Sequence, residues 1–225
     1  MVGFLFDNDG VLVDTTELHW HAWEKLMEES PEFVMTREQF RFGFGKTNAL
    51  IVAETMPQAT KKQGSDWSLR KEEIFRQLAR DQVELIPGME HFLKKVLEAK
   101  IPHIIASSTP LKNLEMYIET TPLGKYFDHY ISGEEVAHGK PAPDIFIAAA
   151  RRIGLEPKEC VVFEDAPAGL LAARAAGCFV VAVETSYPRK DLPTFDLVYP
   201  SPLELNLDEI LSENEKRVYI KDYGN

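Results

Sequence analysis

The chain opens with an apolar run of strand length that ends abruptly in acidic residues. The run spans residues 2–6, and Asp7-Asn8-Asp9-Gly10 follows it directly. A continuous apolar segment of this length is typical of a strand buried on both faces of a parallel sheet. Because alternate residues of an extended chain point to the same side, Asp7 and Asp9 are expected to share one face, and Gly10 lets the backbone turn away.

The segment after this loop changes from a strand pattern to a helical one. Leu18, Ala22 and Leu26 recur at the spacing of one helix face, and Pro31 ends the pattern. The same spacing, interrupted by Pro and Gly, predicts helices at 17–29, 37–42, 47–55 and 68–83. No convincing strand pattern occurs in this stretch, which therefore predicts an all-helical insertion.

From Pro87 onward the pattern alternates between helices and strands. It predicts helices at 90–99, 112–121, 144–153 and 169–176, and strands at 101–106, 130–132, 160–163, 179–183 and 197–199. Such alternation is typical of an α/β protein with a doubly wound, mostly parallel, Rossmann-like sheet. We therefore predict a core of residues 1–14 and 87–225. Residues 15–86 would form a helical cap domain above the carboxyl ends of the strands, where open α/β sheets bind ligands.

Composition narrows the class of protein. The 225 residues carry 25 Lys+Arg against 36 Asp+Glu, a formal net charge of −11 that would repel nucleic-acid phosphates and anionic lipid heads. No apolar run approaches the roughly 18 residues that a membrane span needs, and no basic leader precedes the first strand. We expect a cytoplasmic protein, a monomer or weak homodimer, with no nucleic-acid or membrane partner. Cys160 and Cys178 lie in apolar, strand-like runs, which predicts two reduced, buried thiols.

Polar residues also end two of the later apolar runs. Ser107, Ser108 and Thr109 supply hydroxyl and backbone N–H groups suited to phosphate oxygens, although serine-rich strand ends are also common without a ligand. Glu164 and Asp165 end a further run as the first pair of carboxylates ends the opening strand. Capping of the next helix by Asp165 is the structural alternative.

A single lysine accompanies these acids. Lys140 lies between Gly139 and Pro141, which would aim its ammonium group, although a lone lysine is normally a solvated charge. The predicted site then sets this one ammonium against four carboxylates, those of Asp7, Asp9, Glu164 and Asp165. The excess negative charge predicts a bound divalent cation, and a set of oxygen ligands without His or Cys favours Mg²⁺.

The first acidic loop could also be an ordinary turn or a calcium-binding loop. Asp, Asn and Gly are common turn residues, so the short motif alone does not decide between a turn and a magnesium site. A calcium-binding loop is excluded, because Leu5 would take its first ligand position and Thr16 its last.

Taken together, the motifs resemble those of the haloacid dehalogenase superfamily in order and spacing. They are Asp7-Asn8-Asp9-Gly10-Val11, Ser107, Lys140 within Gly-Lys-Pro-Ala-Pro-Asp, and Glu164-Asp165. The segment from Asp14 to Trp23 and the helical insertion are similar to the branch that contains β-phosphoglucomutases and sugar phosphatases. The resemblance spans nearly the whole chain.

The resemblance implies a role for each motif residue. Asp7 would be the nucleophile that forms an aspartyl-phosphate, and Asp9 would protonate the leaving alcohol and then deprotonate the attacking water. Ser107 and Lys140 would hold the oxygens of the transferring phosphoryl group. The implied Mg²⁺ ligands are the Asp7 carboxylate, the Asp9 carbonyl and Asp165, with Glu164 as a ligand or behind the ligands.

The resemblance also marks residues of the cap. Lys46 and Lys71 match positions where the mutases grip a second phosphate or a sugar, although the first is typically Arg there. Solvated helix charges are the alternative for both lysines. His19 matches a hinge residue that restrains Asp9 until the cap closes, although a helical His beside two Trp could equally serve packing.

Two departures from the mutase pattern favour a phosphatase. The residues after Ser107 read Ser-Thr-Pro-Leu where mutases tend to have Ala-Ser-Lys-Asn, and Ala166 replaces the usual Ser. We therefore predict a Mg²⁺-dependent phosphatase for a small sugar or polyol phosphate, with a phosphoglucomutase as the nearest alternative. A phospho-acceptor receiver domain is another alternative, but such domains are about half as long as this chain and lack the helical insertion. A binding protein that has lost the chemistry fits less well, because every motif acid is present.

Overall fold

The computed structural model describes residues 1–223, with side chains as far as Arg217, so residues 224 and 225 of the predicted core lie outside it. Within this part of the chain, six parallel strands form one sheet in the order β3-β2-β1-β4-β5-β6. The strands are β1 (Gly3–Phe6), β2 (His103–Ser107), β3 (Tyr130–Ser132), β4 (Cys160–Glu164), β5 (Phe179–Val183) and β6 (Leu197–Tyr199). The predicted Rossmann-like α/β class is confirmed.

The strand order places β1 at the point where the winding of the sheet reverses. β1 pairs with β2 on one side and with β4 on the other, and Phe6 lies opposite both Ile105 and Phe163. This register brings Asp7 and Glu164, the next residue along each chain segment, to the same edge of the sheet. Such a switch point is where open α/β sheets form ligand sites.

The helices divide into those beside the sheet and those inserted after β1. The inserted helices are α1 (Thr16–Glu29), α2 (Arg37–Gly43), α3 (Asn48–Thr55) and α4 (Lys61–Ala79). The others are α5 (Met89–Glu98), α6 (Leu111–Thr120), α7 (Asp144–Arg152), α8 (Pro167–Ala176) and α9 (Leu207–Tyr223). None of these described helices combines the length and the apolar character needed to cross a bilayer.

Aromatic side chains hold the inserted helices together. The ring of Phe33 stacks on Trp23 with the centroids 5.3 Å apart and tilts against Trp67 of α4 at 5.2 Å. Burial of one such phenylalanine contributes roughly 1.5–3 kcal/mol. The chain enters and leaves the inserted helices through two neighbouring segments. These segments contact each other, since Val13 forms an antiparallel bridge with Leu85. The observed helices fit the predicted cap, while its boundaries as a separate domain stay a prediction.

The structure differs from the sequence prediction at two helices. Helix α4 begins at Lys61 instead of residue 68, because Thr60 and Gln63 form a capping box with reciprocal side-chain and backbone bonds. Gly64, where the sequence predicts a break, therefore lies inside the helix at an intrinsic cost of about 1 kcal/mol relative to Ala. The sequence pattern does not predict helix α9, because its many charges weaken the apolar periodicity that buries Ile210.

Candidate active site

Three carboxylates from two neighbouring strands converge at the switch point. Asp7 follows β1, while Glu164 ends β4 and Asp165 follows it. One oxygen from each of the three groups lies within 4.8 Å of the others, and all three side chains are buried. The sequence-predicted convergence of these two motifs is therefore present. We call these three residues together with Lys140 the buried acid group.

Lys140 supplies the positive charge of this group. Its Nζ lies 2.7 Å from Asp7 Oδ1 and 2.6 Å from Glu164 Oε1, and the side chain is wholly buried. Burial alone would lower the pKa of Lys140, but the carboxylates of Asp7 and Glu164 more than offset this and raise it above its ordinary value. The ammonium therefore stays charged. The structure thus excludes a solvated lysine at this position.

The single ammonium of Lys140 does not balance the three carboxylates of the buried acid group. Burial raises the pKa of Asp7 to about 7, with Glu164 and Asp9 adding to the shift and Lys140 opposing it. Burial and the Glu164 charge also raise the pKa of Asp165 well above its usual range. Both carboxylate oxygens of Asp165 are buried without a hydrogen-bond partner among the described residues. Unpaired buried oxygens beside an excess of carboxylates fit a divalent cation that prefers oxygen ligands.

Two glycines leave room for these carboxylates. A Cβ on Gly10 would lie 1.8 Å from Asp165 Oδ2, and the φ of 85° at this residue also disfavours other side chains. A Cβ on Gly169 would lie 1.6 Å from Glu164 Oε1. The sequence identifies Gly10 as a turn residue. It does not reveal the requirement for Gly169, whose only signal is a glycine in the first turn of α8.

Asp9 lies in surroundings different from those of Asp7. Its carboxylate accepts hydrogen bonds from the Thr15 hydroxyl at 2.5 Å, from Tyr117 at 3.1 Å and from Thr109. His19 Nε2 lies 3.4 Å away. Burial would raise the pKa of Asp9, but His19, Thr109 and Thr15 together hold it well below its usual range. The Asp9 side chain therefore belongs to this network of donors and not to the buried acid group.

The hydroxyl groups of Ser107, Ser108 and Thr109, at the end of β2, bond to partners on both sides of the site. The Ser107 hydroxyl donates to Thr109 Oγ1 at 3.1 Å and accepts from the Thr109 backbone N–H at 3.2 Å. The Ser108 hydroxyl donates instead to the Gly45 carbonyl of the cap at 3.0 Å. All three loop residues line the same cavity as Asp7. Their predicted role in holding phosphate stays a prediction.

The predicted cap residues also reach this cavity, each with a partner. Lys46 Nζ lies 2.7 Å from Glu54 Oε2. Lys71 is 2% exposed, and its Nζ lies 2.6 Å from His19 Nδ1 and 2.7 Å from Glu72 Oε1, so it is not a solvated helix charge.

His19 lies between the cap lysine and Asp9. Its ring stacks on Phe75 with the centroids 3.8 Å apart, and burial together with the charge of Lys71 lowers the pKa of His19. His19 thus connects Asp9 to Lys71.

A cavity of about 710 Å³ lies between the sheet and the inserted helices. Asp7 and Asp9 line it from the loop after β1, Ser107 lines it from the end of β2, and Lys71 and Glu72 line it from α4. The other members of the buried acid group do not line it and lie buried behind. The Asp7 carboxylate therefore faces a space that fits a small molecule.

Comparison with known proteins is consistent with this geometry. Residues 4–183 match the family model of the haloacid dehalogenase-like hydrolases. Hexitol phosphatase A of Escherichia coli K12 is 34% identical over 216 residues, which cover 88% of this chain and 90% of that protein. β-Phosphoglucomutase of Bacillus subtilis 168 is 28% identical over 229 residues, covering 99% of each chain. The crystal structure of β-phosphoglucomutase from Clostridium difficile shares the fold, with a TM-score of 0.87 and 23% identity over 97% of this chain and 99% of that one.

Proposed function

The chain belongs to the haloacid dehalogenase-like hydrolase family and is a phosphomonoester hydrolase, and we propose that it is a Mg²⁺-dependent phosphatase for a small sugar or polyol phosphate. The observation that carries this proposal is the position of Asp7. Its carboxylate lines the cavity, is bonded to a buried lysine and lies beside the unpartnered carboxylate of Asp165. A carboxylate so placed is suited to attack a phosphorus atom.

The residues that would hold the cation are Asp7, Glu164, Asp165 and the main-chain carbonyl of Asp9. A bound Mg²⁺ would offset the negative charge of the carboxylates and of the substrate phosphate, so that an anionic nucleophile can approach an anionic phosphoryl group. Glu164 already bonds Lys140 through Oε1 and the backbone N–H groups of Asp165 and Ala166 through Oε2. Glu164 is therefore the most constrained member of the set.

In the first half of the reaction Asp7 attacks phosphorus and forms an aspartyl-phosphate. Lys140 lies behind the Asp7 carboxylate and uses two of its three N–H donors on Asp7 and Glu164, so one donor remains for an oxygen of the phosphoryl group once that group is bonded to Asp7. Ser107 adds a hydroxyl at the end of the adjacent strand. These groups orient the phosphoryl group for in-line transfer, which is the main contribution a protein makes to this chemistry.

Asp9 moves the protons. In its protonated form it donates to the leaving oxygen of the substrate, and in its ionised form it takes a proton from the water that hydrolyses the aspartyl-phosphate. The hydroxyls of Thr15, Thr109 and Tyr117 donate to the ionised form, so this network supports the second half of the reaction. The acyl phosphate formed on Asp7 is labile enough to be hydrolysed.

A phosphosugar mutase is the second candidate, since the B. subtilis β-phosphoglucomutase matches 99% of the chain. The two are separated by phosphate release from a panel of hexitol, hexose and pentose monophosphates with Mg²⁺. We expect net release of inorganic phosphate from at least one hexitol or sugar phosphate. Conversion of a hexose 1-phosphate without net phosphate release would establish the mutase instead.

A further inference from the structure

Glu72 is a buried carboxylate on the cap side of the cavity, and the roles proposed above do not use it. It lies in α4, is 5% exposed and lines the cavity. Its Oε1 accepts from Lys71 Nζ at 2.7 Å and from Asn48 Nδ2 at 2.5 Å, and its Oε2 accepts from Asn113 Nδ2 at 2.5 Å. Because Asn113 belongs to α6, one carboxylate connects both sides of the cavity.

Glu72 offsets the charge of Lys71, which the resemblance matches to a position that grips a second phosphate or a sugar. Burial opposes ionisation, but Lys71, His19 and the amide donor of Asn48 lower the pKa of Glu72 to about 2, so it is anionic at neutral pH. The Lys71–Glu72 pair is therefore neutral as a whole. The other predicted cap cation, Lys46, is likewise paired with Glu54.

The carboxylate also has acceptor capacity to spare. A carboxylate offers about four lone-pair sites, and the described residues use three of those on Glu72, two on Oε1 and one on Oε2. A hydroxyl group can donate to the remaining site on Oε2 without bringing charge. A phosphate dianion has no proton to donate and is repelled by the carboxylate.

We propose that Glu72 is a specificity-determining residue that accepts a hydrogen bond from a hydroxyl of the substrate, and so selects sugar or polyol monophosphates over bisphosphates. The proposal rests on the phosphatase function, and it makes Glu72 the residue of the cavity that binds the organic portion of the substrate. A hydrogen bond to a charged acceptor contributes about 1.5–3 kcal/mol, which corresponds to a factor of about 10 to 150 in kcat/KM.

The test compares sorbitol 6-phosphate with hexyl phosphate, which has the same chain length but no hydroxyls. The readout is the ratio of their kcat/KM values, measured by phosphate release with Mg²⁺ on the same preparation, so that any loss of folded protein cancels. The first variant, Glu72→Gln, keeps the shape of the side chain and removes its charge. The second, Glu72→Asp, keeps the charge but moves it back from the cavity by one methylene. Glu73→Gln, at the exposed next position of α4, is the matched control.

We expect the wild-type ratio to favour sorbitol 6-phosphate and to fall at least about tenfold in Glu72→Gln and Glu72→Asp, but not in Glu73→Gln. Wild-type activity on both substrates with a ratio that Glu72→Gln leaves unchanged would overturn the inference and leave the phosphatase function intact. Faster hydrolysis of sorbitol 1,6-bisphosphate than of the monophosphate would also overturn it. A wild type that releases phosphate from none of these compounds and from none of the hexitol, hexose and pentose monophosphates of the panel contradicts the phosphatase function itself.

Discussion

Asp7 and Asp9 lie two residues apart at the end of one strand, yet their carboxylates have opposite surroundings. Burial beside other carboxylates raises the pKa of Asp7 to about 7. Three hydroxyl donors and His19 hold the pKa of Asp9 well below its usual range. Because a nucleophile must be ionised, the raised pKa of Asp7 fits that role only with a cation beside it, and the donors around Asp9 favour the ionised form that takes a proton from water.

Replacement of the proposed nucleophile should abolish turnover while leaving the fold intact. In Asp7→Asn the amide cannot form the aspartyl-phosphate, so we expect kcat to fall on the order of a thousandfold or more. The measurement is phosphate release from the best substrate of the panel, with Asp128→Asn at an exposed position as control. Retention of wild-type turnover by folded Asp7→Asn would exclude this carboxylate as nucleophile.

Asp165 should determine how strongly Mg²⁺ stabilises the protein. Ligands that bind only the folded state stabilise it by about 2.7 kcal/mol at a hundred times their Kd. We expect Mg²⁺ to raise the melting temperature of the wild type but not that of Asp165→Asn. The Asp165 carboxylate has no hydrogen-bond partner among the described residues, and the variant replaces it by a neutral amide. Glu204→Gln, at an exposed position, should respond to Mg²⁺ as the wild type does. Equal responses in all three proteins would place the cation elsewhere.

Cation binding should depend on pH. In the metal-free protein Asp7 has a raised pKa of about 7 and Asp165 has a pKa well above its usual range, so both hold protons below neutrality. A cation needs the ionised carboxylates, and each proton released makes the apparent affinity rise by up to about tenfold per pH unit. Titration calorimetry between about pH 5 and about pH 8, in buffers of different ionisation enthalpy, should show proton release and tighter binding at higher pH. Affinity that is constant over this range, without proton release, would mean that these carboxyls are already ionised.

Tyr117 should position Asp9 without contacting the reacting atoms. Tyr117→Phe keeps the ring and removes the hydroxyl that lies 3.1 Å from Asp9 Oδ1. With one donor fewer the ionised form of Asp9 is less stable and its carboxylate is less firmly held, so proton transfer by Asp9 slows. Loss of about 1 kcal/mol corresponds to a roughly fivefold lower kcat. KM should change little. An unchanged kcat in Tyr117→Phe would show that this bond does not position Asp9.

Both thiols should be inert in the native protein. Cys160 and Cys178 are buried, and burial raises the pKa of each to about 12, so the reactive thiolate is scarce at neutral pH. We expect no alkylation by iodoacetamide in native buffer and modification of both residues in denaturant. Rapid modification of either thiol in the folded protein would contradict the observed burial.

The sequence was sufficient for the sheet and for the buried acid group, because both depend on local patterns. An apolar run that ends in carboxylates predicts a buried strand with an acidic end, and parallel strands bring such ends to one edge. The network around Asp9 was not predictable in the same way. Tyr117 lies on the buried face of α6, where its hydroxyl gives no local signal, and its contact with Asp9 exists only once the sheet and α6 have packed.

The Lys71–Glu72 pair shows a second limit of sequence reasoning. Adjacent residues of a helix do not normally face each other, so nothing in the local pattern pairs these two side chains. In the folded chain their charged groups lie 2.7 Å apart because both turn toward Asn48, His19 and Asn113. The resemblance placed Lys71 in the cap, but the carboxylate that neutralises it required the structure.

A covalent intermediate at Asp7 is the central requirement of the proposed phosphatase mechanism. The protein should be mixed with Mg²⁺ and excess substrate, quenched in acid within the first turnovers and digested for mass spectrometry. We predict a phosphoryl group on the peptide that contains Asp7 in the wild type and none in Asp7→Asn. A phosphoryl group on another residue, or the same labelling in Asp7→Asn, would contradict this mechanism.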